Sequence, residues 1–299
     1  MTELHSTCAL CGNPAPLRKS HVIPKFAVEW LKKTSATGYI RQGVNPNLRK
    51  QDIERTRLLC SRCESKFSLW EKRFSEGLFA RIAEGDWYNL QYEDWLLPFA
   101  ISLAWRLVVT TTGEARRWNP VLAPRVDEAY ETWGGFLRGE TSDPGPYEHH
   151  VLLFNLIADA SFNIPEDFQW YLMRGVDCTL VWSDTRVLTY VKLPAMAFWS
   201  AIHPPHIGRW DNTRILHKGR IALPQAVDTN VLNFLLDRVA TCQPFLARLS
   251  DRQRSAIGRA VLADPGRAAA SRSVETLAAD RALQQRQANK SRSGESHKP

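Results

Sequence analysis

Six cysteines in 299 residues are too few for a disulfide scaffold. The longest apolar run, WLLPFAISLAW at 95–105, carries a proline, is followed by Arg106 and is too short to cross a bilayer. The first residues are polar and lack the apolar stretch of a secretory leader, which predicts a soluble, cytoplasmic chain with no membrane partner. The sequence also lacks a phosphate-cradling Walker loop, a dinucleotide fingerprint, a G-x-S-x-G elbow and any visible repeat. These absences set aside secreted disulfide proteins, membrane spans, nucleotide-binding folds and repeat arrays.

Apolar residues make up 44% of the chain and eleven are tryptophan, enough to bury a sizeable core. The net charge of +8 is unevenly placed. Residues 1–75 hold fourteen Lys/Arg against six Asp/Glu. Residues 76–264 are net −4, and 265–299 are net +4. A metal held by four thiolates would lower the charge of the first segment by about two and leave it basic. Concentrated positive charge at both ends points to a polyanionic partner, most simply nucleic acid. Basic surfaces that only maintain solubility are the plain alternative.

Four of the cysteines form two C-x-x-C pairs, Cys8/Cys11 and Cys60/Cys63, separated by 48 residues. Two such knuckles close a tetrahedral site in which every position is a thiolate, so the expected metal is structural Zn²⁺. The intervening 32–57 is polar and turn-rich, with Gly38, Gly43 and Pro46, and reads as a long loop or irregular hairpin. Zinc would tie this region together, since it lacks a core of its own. From Glu64 a helix is expected, because Phe67, Trp70, Phe74 and Leu78 recur every three or four residues. Cys178 and Cys242 stand alone and read as small core residues.

The body, 76–264, reads as mixed helix and antiparallel strand. Residues 93–140 look mostly helical, with a break near TTGEARRWNP and a stop at Gly139. HHVLLFNLI at 149–157 reads as a strand whose histidines mark an exposed start. FQWYLMRGVDCTLVWSDTRVLTYVKL predicts two or three strands turning at 183–185, and AMAFWSAI suits strand or helix. Helix returns over 225–262, with Leu232, Leu235, Leu236 and Val239 on one face. The tryptophans Trp87, Trp95, Trp105, Trp118 and Trp133 are expected to fill the core. HPPH at 203–206 is a rigid turn between two histidines, Asp177 and Asp184 fall in or beside turns, and none of these is expected to carry chemistry. Residues 265–299, rich in Ala, Ser, Arg and Gln without apolar periodicity, predict a disordered basic tail. The fold class expected is therefore α+β: a zinc-stapled module (1–75), a body (76–264) and the tail (265–299).

One stretch remains, SHVIPKF at 20–26, between the two knuckles. Together with Cys8, Cys11 and Cys60-Ser-Arg-Cys63-Glu64, it resembles the HNH, or His-Me finger, endonuclease superfamily over the first 75 residues only. The resemblance implies a zinc-stapled ββα or treble-clef finger that cuts DNA, in preference to RNA, in a bacterial defence or mobile-element setting. It implies that His21 is the general base activating water. It implies a divalent ion, Mg²⁺ or Mn²⁺, at the scissile phosphate, with Glu64 as its ligand. Arg18, Lys19, Ser20, Lys25 and Arg62 would meet the nucleic acid, the lysines as point charges and the arginines as forks. Two positions depart from the family pattern: Ser20 stands where an acid or histidine is usual, and Glu64 where asparagine or histidine is usual. A plainer reading of Glu64 is the acid of a capping box Ser61-x-x-Glu64. Glu71, further along the same helix, reads as a solvent-facing acid, and His21 itself suits a structural bond to a backbone carbonyl. Two readings compete with the nuclease: a zinc finger that binds nucleic acid without cutting it, and a structural zinc module on a body that binds protein.

Overall fold

The structure, a computed structural model, describes residues 6–41, 43, 45–51, 55–160, 162–241 and 248–295, apart from the side chains of 112, 114–116, 118 and 291–295. It is mixed α+β with antiparallel sheets, and its contacts cluster into two units. The first comprises Met1–Lys25, Ile53–Leu153 and Val176–Val227; the second comprises Phe26–Asp52, Phe154–Gly175 and Asp228–Pro299.

In the first unit, strand Leu17–Ser20 pairs antiparallel with Thr56–Cys60, Leu17 opposite Cys60 and Ser20 opposite Thr56, with an irregularity between Arg18 and Lys19. Helix Ser61–Phe74 follows directly and runs through a π-helical turn, Ser75–Phe79, into Ala80–Glu84. Its apolar residues Phe67, Phe74 and Leu78 are buried, as their spacing predicts. Phe74 stacks on Phe99 at 4.3 Å and meets Phe198 edge-on at 5.6 Å. These rings join the knuckle helix to helix Leu96–Trp118 and to the sheet. The long helix continues through the break expected near TTGEARRWNP and ends at Trp118, because no proline intervenes before Pro120. Helix Ala123–Arg138 stops at Gly139, which takes the left-handed conformation (φ 84°) that glycine adopts without strain.

The main sheet of this unit has four antiparallel strands in the order His149–Leu153, Met196–His203, Val187–Leu193, Asp177–Trp182. AMAFWSAI is therefore strand. His149 and His150 do not mark an exposed start: both are buried, with their Nδ1 atoms 2.7 Å from Ser200 Oγ and 2.8 Å from Thr213 Oγ1. The hydroxyls satisfy one nitrogen of each ring, and burial keeps both rings uncharged by pushing their pKa values down to about 3 and about 4. Trp105 and Trp133 are fully buried, as expected of core tryptophans, whereas Trp87 and Trp95 are only half-buried and the Trp118 side chain lies outside the described set. Cys178 lies half-buried on the outer strand rather than in the core, and Cys242 falls outside the described residues.

The second unit is mostly helical. Helix Lys25–Lys33, within a region read as loop at its end, buries Ala27, Val28 and Leu31. It is followed by a two-stranded ribbon, Ile40–Arg41 with Arg49–Lys50. FQWYLMR, expected as strand, is helix Phe168–Arg174 with Phe168, Tyr171 and Leu172 buried at helical spacing. Arg174 lies 5.4 Å and 5.6 Å from the ring centres of Trp30 and Trp170, and donates to Leu31 O at 2.9 Å. Helices Thr229–Ala240 and Asp251–Ala263 are capped by Asp228 and Ser250.

The expected disordered tail is helical over Pro265–Ala269 and Arg272–Glu295; residues 296–299 fall outside the described set. Its buried face is Ser273, Thr276, Asp280 and Leu283, spaced three or four apart but mostly polar. Asp280 accepts from the backbone N–H groups of Asp167 (2.9 Å) and Gln169 (3.2 Å), satisfying the start of helix Phe168–Arg174 from a distance in sequence. An apolar-periodicity reading has no access to such a face.

Candidate metal centre and adjoining groove

The two cysteine pairs meet. One sulfur from each of Cys8, Cys11, Cys60 and Cys63 lies within 4.8 Å of all the others, and Cys8, Cys60 and Cys63 are buried. Cys11 Sγ and Cys60 Sγ are 3.8 Å apart. A tetrahedron with Zn–S bonds of about 2.3 Å has edges of about 3.8 Å, so the spacing fits structural zinc. The backbone prepares the site. The Cys60 N–H donates to Cys8 Sγ at 3.2 Å, and Gly12, at φ 72°, turns the first knuckle back on itself. Burial pushes the Cys8 thiol up, but N–H donors from Cys11, Cys60 and Leu10 outweigh it and bring the pKa to about 7. Burial and the neighbouring sulfurs push the Cys63 thiol up instead. Four cysteine sulfurs at this spacing could hold a metal ion, which would bind them as thiolates. Among the described residues this is the one such group of three or more candidate ligands; His203 and His206 of HPPH belong to none.

Residues distant in sequence secure the first knuckle. Tyr130 OH donates to Ala9 O at 2.9 Å, and an Arg138 N–H donates to Leu10 O at 3.0 Å.

Beside the metal centre, the end of strand Leu17–Ser20 lies against the first turns of helix Ser61–Phe74. Ser20 Oγ donates to Glu64 Oε2 at 2.6 Å. Ser20 is 3% exposed, so it does not offer itself to a nucleic acid as expected; it holds the Glu64 carboxylate. The capping-box reading of Glu64 also fails. Cys60, not Ser61, is the N-cap, with no side-chain cap bond, and Glu64 reaches across to the strand.

His21 follows Ser20 and is half-buried. Burial pushes its imidazole below the ordinary histidine pKa, Arg55 and Arg106 push the same way, and Glu71 and Glu64 pull against them. The lowered pKa favours the uncharged ring near neutral pH. Its backbone carbonyl accepts an Arg106 N–H at 2.6 Å, and the same guanidinium nitrogen lies 2.7 Å from Glu71 Oε1. Arg106 is 2% exposed and sits over the Phe67 ring at 5.4 Å. Glu71 is thus a partner of a buried arginine and not the solvent-facing acid expected. Sequence reasoning treats Arg106 only as the end of an apolar run. The available signal was a lone charge inside a buried helix, which needs a partner.

A groove of about 580 Å³ opens between this strand and helix. Arg18, Lys19 and Lys72 supply positive charge to it, Ser61, Ser65 and Ser68 supply hydroxyls, and Glu64 and Leu69 complete the lining. Arg18 and Lys19, expected to meet nucleic acid, both line this groove. His21 and Ser20 lie outside the lining, as do the exposed Lys25 and Arg62, and Ser65, Ser68 and Lys72 were not anticipated. No family model, no curated protein and no solved structure matches this chain. No helix among the described residues is long and apolar enough to cross a membrane.

Proposed function

We propose that this chain is a metal-dependent endonuclease of the HNH type acting on DNA, with His21 as general base. The observation that carries the reading is the Ser20–Glu64 hydrogen bond. It holds a carboxylate in a cationic groove, with a neutral imidazole on the adjacent residue and a four-cysteine clasp at the base of both elements. The strand–strand–helix order Leu17–Ser20, Thr56–Cys60, Ser61–Phe74 suits the ββα or treble-clef arrangement of that superfamily.

Each residue then has a chemical task. His21, favoured in its uncharged form, takes a proton from the attacking water. Arg18 and Lys19 neutralise phosphate oxygens. Ser20 acts through Glu64 by fixing its orientation, in place of the second ligand usual in the family. A Mg²⁺ or Mn²⁺ ion at Glu64 would supply Lewis-acid stabilisation of the phosphoryl oxygens. One carboxylate is enough for Mg²⁺ when substrate phosphate and water complete its shell. The second reading, a finger that binds without cutting, is favoured by Ser20: its buried hydroxyl leaves Glu64 as the single acid lining the groove.

The test is zinc-loaded protein incubated with plasmid DNA and structured RNA, with and without Mn²⁺, beside His21→Ala and Glu64→Gln. Wild type should nick DNA only with Mn²⁺ or Mg²⁺, and each variant should lose about 10²-fold or more. The rate should fall on the acid side, because the base must be unprotonated, with a midpoint below that of an ordinary histidine. Cys60→Ser should unfold the metal module, and His21→Ala should leave it folded with its zinc. No cutting by wild type under any of these conditions would exclude the nuclease; equal loss of folded protein in Cys60→Ser and His21→Ala would make the histidine structural.

A further inference from the structure

We infer that Arg41, Arg49 and the first turn of helix Asp251–Ala263 form a site for a phosphate-type dianion, bridged between the two guanidinium groups. These residues belong to the second unit, and the inference does not rest on the nuclease reading. Arg41 and Arg49 stand opposite each other in the two-stranded ribbon. Each donates to the same oxygen, Gln253 Oε1, at 3.1 Å. Two cationic groups are thereby held within about 6 Å, and like charges directly opposite destabilise a strand pair. The amide oxygen between them carries no charge to offset them. Among the described residues no carboxylate pairs with either arginine, and Asp251, at the start of the helix, is exposed. Burial and the Arg49 charge push the Arg41 guanidinium below its ordinary pKa. The second terminal nitrogen of Arg41 is buried and has no hydrogen-bond partner among the described residues.

Other bonds hold this arrangement in place. The Asn47 amide donates to Arg248 O at 2.9 Å and accepts the Ser250 N–H at 2.7 Å. Ser250-x-x-Gln253 is the pattern of a capping box, in which Gln253 would reach back to the Ser250 N–H. Asn47 already occupies that N–H, and the Gln253 amide turns to the arginines instead. Pro46 O accepts from Arg41 at 2.8 Å, and Arg49 lies over the Tyr39 ring at 5.1 Å. The two guanidinium groups therefore stay together without a counter-charge, beside a helix start whose dipole also favours an anion. Gln253 Oε1 marks the place of one anionic oxygen. Gln253 is half-buried and Arg49 exposed, so the ion enters from the Arg49 side by displacing the amide. A tetrahedral dianion matches two unit charges and keeps further oxygens for the remaining N–H groups, whereas a carboxylate brings one charge.

The test measures binding of inorganic phosphate to full-length, zinc-loaded protein by isothermal titration calorimetry. It is run at fixed ionic strength and slightly above neutral pH, where phosphate is largely a dianion. Wild type should bind with a dissociation constant of about 1 mM or tighter. Arg49→Gln, at an exposed position, should weaken binding about ten-fold or more, because a charge-assisted contact is lost. Gln253→Glu supplies the negative charge from within the chain and should abolish binding. Zinc content and circular dichroism confirm that each variant is folded. Glycerol phosphate separates two sources of the same chemistry: equal affinity shows that the site takes the phosphate group of a monoester, and binding of inorganic phosphate alone shows that it takes the free ion. Absence of binding by wild type overturns the inference. Equal binding by wild type, Arg49→Gln and Gln253→Glu overturns it as well. Neither result bears on the nuclease reading, which is decided by cutting.

Discussion

Arg106 shows how one residue ties chemistry to packing. It is almost fully buried, and its guanidinium meets the Glu71 carboxylate, the carbonyl of His21 and the face of Phe67. Truncation to alanine would leave Glu71 and the His21 carbonyl without that donor in a low-dielectric setting. The expected cost of Arg106→Ala is about 3 kcal/mol, read from urea unfolding. Replacing both partners, Arg106→Met with Glu71→Gln, should recover more than half of that loss, since breaking a buried pair costs more than removing it. Equal destabilisation in the single and double variants would show that the pair is not the source. The four cysteines were legible because C-x-x-C spacing encodes ligand geometry within the sequence. The Arg106–His21 contact was not, because it joins residues 85 apart with no shared pattern.

Among elements, the knuckle helix was legible from its aromatic period, and the helices after 264 were not. The helix Arg272–Glu295 buries Ser273, Thr276 and Asp280, residues that hydropathy assigns to solvent. Its contribution is hydrogen bonding, above all Asp280 accepting from the N–H groups of Asp167 and Gln169. Asp280→Ala should destabilise this unit by about 1–2 kcal/mol, the scale of a lost cap, seen as a lower melting temperature with the metal centre unaffected. Asp280→Asn should retain part of the effect, because one acceptor oxygen remains. No change in Asp280→Ala would mean that the helix start is satisfied by other groups. FQWYLMR was misread for the same reason: its helical cap comes from more than a hundred residues away.

At the scale of the whole chain, the metal clasp is completed by residues far beyond 75. Tyr130 and Arg138 donate to the first knuckle, and Arg106 donates to the turn at His21. A fragment of residues 1–75 should therefore bind zinc through its four cysteines yet fail to order His21. Nuclear magnetic resonance of the zinc-loaded fragment would check this, with dispersed signals near the cysteines and narrow, averaged ones around Ser20 and His21. A fully ordered fragment would show that these three donors are dispensable. The α+β class was readable from the alternation of patterns along the chain. The two units were not, because each is assembled from three separated segments and periodicity carries no record of which segments cluster.

The short contact between Ser20 and Glu64 has one more implication. An aspartate at position 20 would bring two carboxyl groups close together, and two such neighbours cannot both ionise without a counter-charge. The turn would then assemble only under acidic conditions or once a cation arrived. A hydroxyl at that position removes this condition, so the turn can form at neutral pH with no counter-charge beside it.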